Sequence, residues 1–187
     1  MKIGILGSTR GTSCKYLIEE SINGNINCKV EVIISNNKNA EILDKARMGN
    51  IDFIYLSNQN YNDKLLKILK CYDLDIIFLV GYMKIIPKSI LDIYSGKIYN
   101  IHPSLLPKYK NMKDMNIHEL IINNNETITG CTLHIVTEKV DEGNIILQKQ
   151  LNIDTNDPNI LKDKVQKLES ELLVEFINIM NKYNKKI

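Results

Sequence analysis

Short unbroken apolar runs alternate with stretches of helical spacing through the first half of the chain. Residues 2–6 (Lys-Ile-Gly-Ile-Leu) read as a buried strand, followed by the polar turn Gly7-Ser8-Thr9-Arg10-Gly11-Thr12-Ser13 and a helix over 13–22. Val30, Val32, Ile33 and Ile34 mark a second strand over 29–35, and a helix over 39–48 closes near Gly49, where a C-terminal cap is expected. A short strand at 52–56 precedes helical spacing over 61–72, carried by Leu65, Leu66, Ile68 and Leu69. The run 75–80 is almost wholly apolar and bounded by Gly81, which suits a central parallel strand covered on both faces. This β-α-β-α-β-α-β order implies an α/β fold: a doubly wound, mostly parallel sheet with right-handed crossovers.

The second half departs from that rhythm. A helix near 87–94 leads into a strand over 97–101, and a helix near 114–124 follows a charged, Met-rich stretch. Two strands, about 129–137 and 144–153, are separated by Glu138–Gly143, a spacing that suggests a hairpin-like return. The late strands are therefore expected to be partly antiparallel. Asp157-Pro158 supplies a helix cap with proline at the first helical position, for a helix running to about Tyr183. With no internal repeat or linker, one domain over 1–187 is the economical expectation.

Composition narrows the partners. The formal net charge of +2 is too small to imply a nucleic-acid surface. No apolar run approaches membrane-spanning length, and no N-terminal stretch has the form of a signal peptide. Cys14, Cys28, Cys71 and Cys131 are scattered, with no CxxC and no histidine at metal-ligand spacing, so neither a disulfide framework nor a metal site is expected. The expectation is a cytoplasmic protein without bound metal.

Candidate chemistry centres on Asn100-Ile101-His102-Pro103-Ser104-Leu105-Leu106-Pro107. Side chains alternate in a strand, so Asn100 and His102 share one face and Ile101 takes the other. Pro103 has no amide donor and ends the ladder, leaving both polar groups at a strand's C-terminal end, where open α/β sheets bind ligands. A carboxamide beside an imidazole suits oxyanion stabilisation and proton delivery. Asp141, in Val140-Asp141-Glu142-Gly143, is either simple turn chemistry or an acid that approaches His102 and keeps it charged. The turn before residue 13 opens a helix, so its amides are either an anion cradle helped by Arg10, Thr12 and Ser13, or merely a tight connection. His134, between Leu133 and Ile135, fits core or site; His118, in Met-Asn-Ile-His-Glu-Leu, reads as a surface or half-buried structural residue.

At these residues the chain resembles the phosphoribosylglycinamide formyltransferases, a branch of the folate-dependent formyltransferases. The likeness is carried by the first-strand loop, Gly81-Tyr82-Met83-Lys84-Ile85-Ile86, the Asn100–Pro107 run, Thr129-Gly130-Cys131-Thr132-Leu133-His134, and Val140-Asp141-Glu142-Gly143 followed by Ile145-Ile146-Leu147-Gln148. It implies transfer of a formyl group from the co-substrate 10-formyltetrahydrofolate to the amine of glycinamide ribonucleotide, with no tightly bound cofactor. His102 would be the general acid, Asn100 its partner at the oxyanion, and Asp141 the group that holds the imidazole charged. Gly11, Thr12 and Ser13 would cradle the ribonucleotide phosphate, and Glu169 would accept from the ribose hydroxyls; without the resemblance, Glu169 reads equally well as a solvated helix-face acid. Met83, Lys84, Ile85, Ile86, Asn100 and Val140 would wall the folate pocket, with Tyr82 adding a flat apolar contact. His134 would support the trio.

The same resemblance implies small-molecule partners, no nucleic acid or membrane, and a monomer or weak homodimer. Lys84 stands where many members have arginine, and Lys110-Asn111-Met112-Lys113-Asp114 replaces a tighter Pro-Gly loop. The nearest rival is a formyltetrahydrofolate deformylase, which turns the same trio on water. That branch carries an extra N-terminal domain, whereas this sequence starts directly at the first strand.

Overall fold

The computed structural model describes residues 1–112 and 114–184. Its strands are β1 (Lys2–Gly7), β2 (Lys29–Ser35), β3 (Asp52–Tyr55), β4 (Ile76–Val80), β5 (Ile98–His102), β6 (Ile128–Ile135) and β7 (Ile145–Asn152). Its helices are α1 (Lys15–Ile22), α2 (Ile42–Met48), α3 (Tyr61–Tyr72), α4 (Lys88–Ile93), α5 (Asp114–Asn123) and α6 (Pro158–Asn184). The strands form one sheet in the order β3-β2-β1-β4-β5-β6-β7. The first five run parallel, β6 is antiparallel to β5, and β7 is antiparallel to β6. The order reverses between β1 and β4, and such a switch point opens a crevice beyond the carboxyl ends of the strands.

Alternation sorts the core into two layers. Ile3, Ile5, Phe78, Tyr99, Ile101 and Leu133 point to one face, where α1, α2, α5 and α6 cover them. Leu6, Val32, Ile77, Leu79 and Ile98 point to the other, under Leu65 and Leu69 of α3 and Ile90 of α4. In β4 all five residues are buried, since both faces are roofed. Phe78 packs against both Tyr99 and Phe176, with ring centroids 6.3 and 6.0 Å away, and those two rings lie 4.8 Å from each other. Truncating such a ring to alanine costs on the order of 3–5 kcal/mol.

Helix α6, 27 residues long, crosses the first face. Asp157 caps it, its Oδ1 accepting the Asn159 N–H at 2.8 Å. Near its middle Ser170 Oγ accepts the Tyr16 N–H at 3.1 Å, latching α6 to the first turn of α1.

The sequence-based expectations need small corrections. A 3₁₀ turn at Thr12–Cys14 precedes α1, because Gly11 is left-handed (φ 64°) and the chain must tighten before the helix proper begins. Gly49 ends α2, but with φ −86°; the left-handed residue is the next one, Asn50, at φ 50°. β5 extends one residue further than expected, so His102 itself is in the strand. His118 is buried, not at the surface, because with Ile117 and Ile121 it lies on the inward stripe of α5.

Candidate active site

Asn100 and His102 leave β5 on the face opposite Tyr99 and Ile101. Antiparallel pairing with β6 sets Asn100 against His134 and His102 against Thr132, so all four share a face. The Asn100 Nδ2 amide lies 3.1 Å from His134 Nε2, while His134 Nδ1–H donates to the Ile135 carbonyl at 3.0 Å and fixes the ring. Thr132 pins the loop after β5: its hydroxyl donates to Ser104 O at 2.7 Å and accepts the Leu106 N–H at 3.0 Å. Gln148 Nε2 adds a bond to the Leu106 carbonyl at 3.0 Å.

Asp141 comes from the turn between β6 and β7, with left-handed backbone (φ 55°). Its Oδ2 lies 3.6 Å from His102 Nδ1 and its Oδ1 lies 3.6 Å from His134 Nε2. Asn111 N–H donates to the same Oδ2 at 2.9 Å. Burial pushes the Asp141 carboxyl up, but the contact with His134, the charge of His102 and the Asn111 amide outweigh it and hold the acid below its ordinary value. His102 Nε2 faces the Tyr109 carbonyl at 3.2 Å. Both ring nitrogens of His102 thus face oxygen acceptors.

A second group of residues converges across the rim. Gly11, Thr12 and Ser13 line a cavity of about 250 Å³ together with Met83, Ile101, Pro103 and Glu169. Gly11 is buried at φ 64°, and a Cβ there would meet the Ile42 side chain at 2.4 Å, so only glycine lets the turn lie this close to α2. Ser13 Oγ donates to Glu169 Oε2, joining the turn to α6. Ile101 and Pro103, in the wall of this cavity, are the chain neighbours of Asn100 and His102, so the cavity abuts the imidazole through the backbone of β5.

The residues expected at the folate are spread more widely. Met83 lines the cavity. Lys84 Nζ stands over the Tyr61 ring, 4.6 Å from its centroid, and the Tyr82 hydroxyl is bonded to that of Tyr61. Ile85 and Val140 are exposed, whereas the Ile86 side chain lies in the core beneath α4. In the replaced loop, Lys110 Nζ reaches Glu142 Oε1 at 2.6 Å; Lys113 lies outside the described residues. Lys162 and Gln166, two turns and one turn before Glu169 on α6, also line the cavity and were missed by sequence reasoning. The i, i+3 spacing of Gln166 and Glu169 and the i, i+4 spacing of Lys162 and Gln166 are the signal that would have found them.

Among the described residues, no cluster of three or more His, Cys, Asp or Glu could hold a metal ion, and no helix is long and apolar enough to cross a membrane.

A doubly wound sheet with an Asn/His/Asp constellation at its rim defines a class, and by the match of residues 1–177 to the formyl transferase model the chain belongs to that family. It is 35% identical over 175 residues to a phosphoribosylglycinamide formyltransferase from Haemophilus influenzae, covering 90% of this chain and 78% of that one. The crystal structure of glycinamide ribonucleotide transformylase 1 from Symbiobacterium toebii superposes with a TM-score of 0.88 at 29% identity, covering 95% of this chain and 85% of that one. The human trifunctional purine biosynthetic protein adenosine-3 is 32% identical over 162 residues, 83% of this chain; the chain spans 16% of that protein's length.

Proposed function

We propose that the protein is a phosphoribosylglycinamide formyltransferase, transferring the formyl group of 10-formyltetrahydrofolate to the amine of glycinamide ribonucleotide in purine biosynthesis. The observation that carries this reading is the convergence of Asp141 on His102 and His134 at the rim of the cavity that Gly11–Ser13 and Glu169 line. The relatives named above support it.

In this reaction the amine nitrogen adds to the formyl carbon, and negative charge gathers on the carbonyl oxygen. The bond from that carbon to the folate's bridging nitrogen then breaks. The amine loses one proton and the bridging nitrogen gains one, so no proton is released overall. The His102 imidazolium and the Asn100 amide are the donors for the developing oxyanion, a role that acts where charge appears only in the transition state. Asp141, 3.6 Å from His102 Nδ1, favours the charged ring and accepts the proton in transit through water. The Tyr109 carbonyl must yield its place at Nε2 for the ring to meet substrate.

Gly11, Thr12 and Ser13 present amides and hydroxyls to the phosphate, and Glu169, already accepting from Ser13, receives the ribose hydroxyls. Met83, Lys84, Ile85 and Val140 belong to the folate side of the site, with Asn100 at the formyl group, while Ile86 anchors the segment in the core. Within one catalytic domain the N-terminal turn thus holds the ribonucleotide phosphate, with Glu169 of α6 at its ribose, and the folate side combines the Met83 segment with the acid loop of the C-terminal half. The test is product formation: purified protein with both substrates should yield formylglycinamide ribonucleotide and tetrahydrofolate in equal amounts. Release of formate from the folate, unaffected by the ribonucleotide, would refute the proposal and favour a hydrolase.

A further inference from the structure

Ser8 follows β1 directly and is buried, although the residues next to it, Thr9 and Arg10, are exposed in the cavity wall. Its hydroxyl is used twice: it donates to Asn36 Oδ1 at 2.5 Å and accepts the Met83 N–H at 2.8 Å. Its backbone is used twice more. Ser8 N–H donates to Gly81 O at 3.2 Å, and Ser8 O accepts from Asn37 Nδ2 at 3.2 Å. One residue therefore joins the carboxyl ends of β2, β1 and β4, three neighbours in the sheet at its switch point.

The two hydroxyl bonds differ in what they secure. Asn36 sits at the end of β2 and sets the direction of the O–H. With the hydrogen committed there, a lone pair is left facing the Met83 amide, since a hydroxyl offers one donor and two acceptor sites. Met83 lines the cavity beyond Val80 and Gly81, and its side chain is exposed. Its backbone N–H finds its partner in Ser8 rather than in a helix or strand ladder. Three residues further on from Ser8, Gly11 opens the anion turn.

We propose that Ser8 is a positioning residue, oriented by Asn36, that fixes the Met83 segment against the first turn and so sets the affinity for the folate without touching either substrate. This rests on the functional reading above and deepens it. Removing the hydroxyl leaves the Met83 N–H at the rim without its acceptor; losing one such partner typically shifts an equilibrium by roughly tenfold. The turn itself keeps its own supports, because Gly11 is held by close packing on Ile42 and Ser13 by Glu169.

The test measures equilibrium binding of 10-formylfolate and of glycinamide ribonucleotide, separately, to wild type, Ser8→Ala, Asn36→Ala and Asn36→Asp, with unfolding midpoints in parallel. Ser8→Ala should weaken folate binding by roughly tenfold and ribonucleotide binding by less than ~3-fold. Asn36→Ala should reproduce part of the folate loss, and Asn36→Asp should restore it, because a carboxylate still accepts the Ser8 hydrogen. Equal weakening of both ligands, unchanged folate affinity, or an aspartate no better than alanine would overturn the proposal. Wild type that binds 10-formylfolate but formylates nothing would refute the functional reading and leave the Ser8 measurement valid. Wild type that binds no folate would sink both.

Discussion

Asp141 carries a conformational cost as well as a charge. Its φ of 55° lies in the left-handed region, which asparagine and aspartate tolerate better than other side chains. Asp141→Asn therefore keeps the turn while removing the acid. The carboxyl's folded value lies below its ordinary one, so its contribution to stability is present above about pH 4 and fades as pH falls through the lowered folded value. We expect Asp141→Asn to cut turnover at least ~100-fold at neutral pH. We also expect its urea midpoint to lie below wild type at pH 7, with the gap narrowing below about pH 4. An asparagine variant with wild-type turnover would remove Asp141 from the mechanism. The shared face of Asn100 and His102 was legible because strand alternation is a two-residue rule. The approach of Asp141 was not: it depends on how β6 pairs with β5 and on a positive φ that Val-Asp-Glu-Gly does not announce.

Among the elements, the first turn is the most tightly specified. Gly11→Val forces a β-branched side chain into a left-handed position and into Ile42. The turn can relieve this only by lifting away from α2, so the ribonucleotide KM should rise by at least ~10-fold while the folate KM moves less; left-handed strain alone is on the order of 1–2 kcal/mol. Initial-rate measurements varying each substrate in turn decide it, and a selective loss on the folate side would contradict the assignment of this turn. Continuous apolar runs made β4 and β2 readable almost to the residue. Helix starts were harder, because a 3₁₀ turn and α1 share one run of hydrophobic spacing. His118 was misplaced for a different reason: its polarity was weighed above the stripe formed with Ile117 and Ile121, and the stripe decides which way the side chain points.

For the molecule as a whole, the antiparallel return of β6 and β7 matters most, because it brings a late turn back to the rim formed by earlier parallel strands. The doubly wound half was legible from alternation of element types; the pairing partner of each late strand was not, since spacing alone leaves several sheet orders open. A ligand seated between the first turn and α6 contacts segments from both ends of the chain. At about 100-fold above its Kd, the ribonucleotide should therefore raise the melting temperature by roughly 5–10 °C, read by calorimetry. No shift at saturating ligand would mean that the cavity is not where it binds.

The same geometry constrains how this protein can change over evolutionary time. Ser170 latches α6 to α1 while Glu169, one residue away, lines the cavity, so a substitution that reshapes the cavity there is also screened for its effect on cohesion. Variation in substrate preference should accumulate instead at Ile85, Glu138, Lys139, Val140 and Glu142, whose exposed side chains bear little of the architecture's weight.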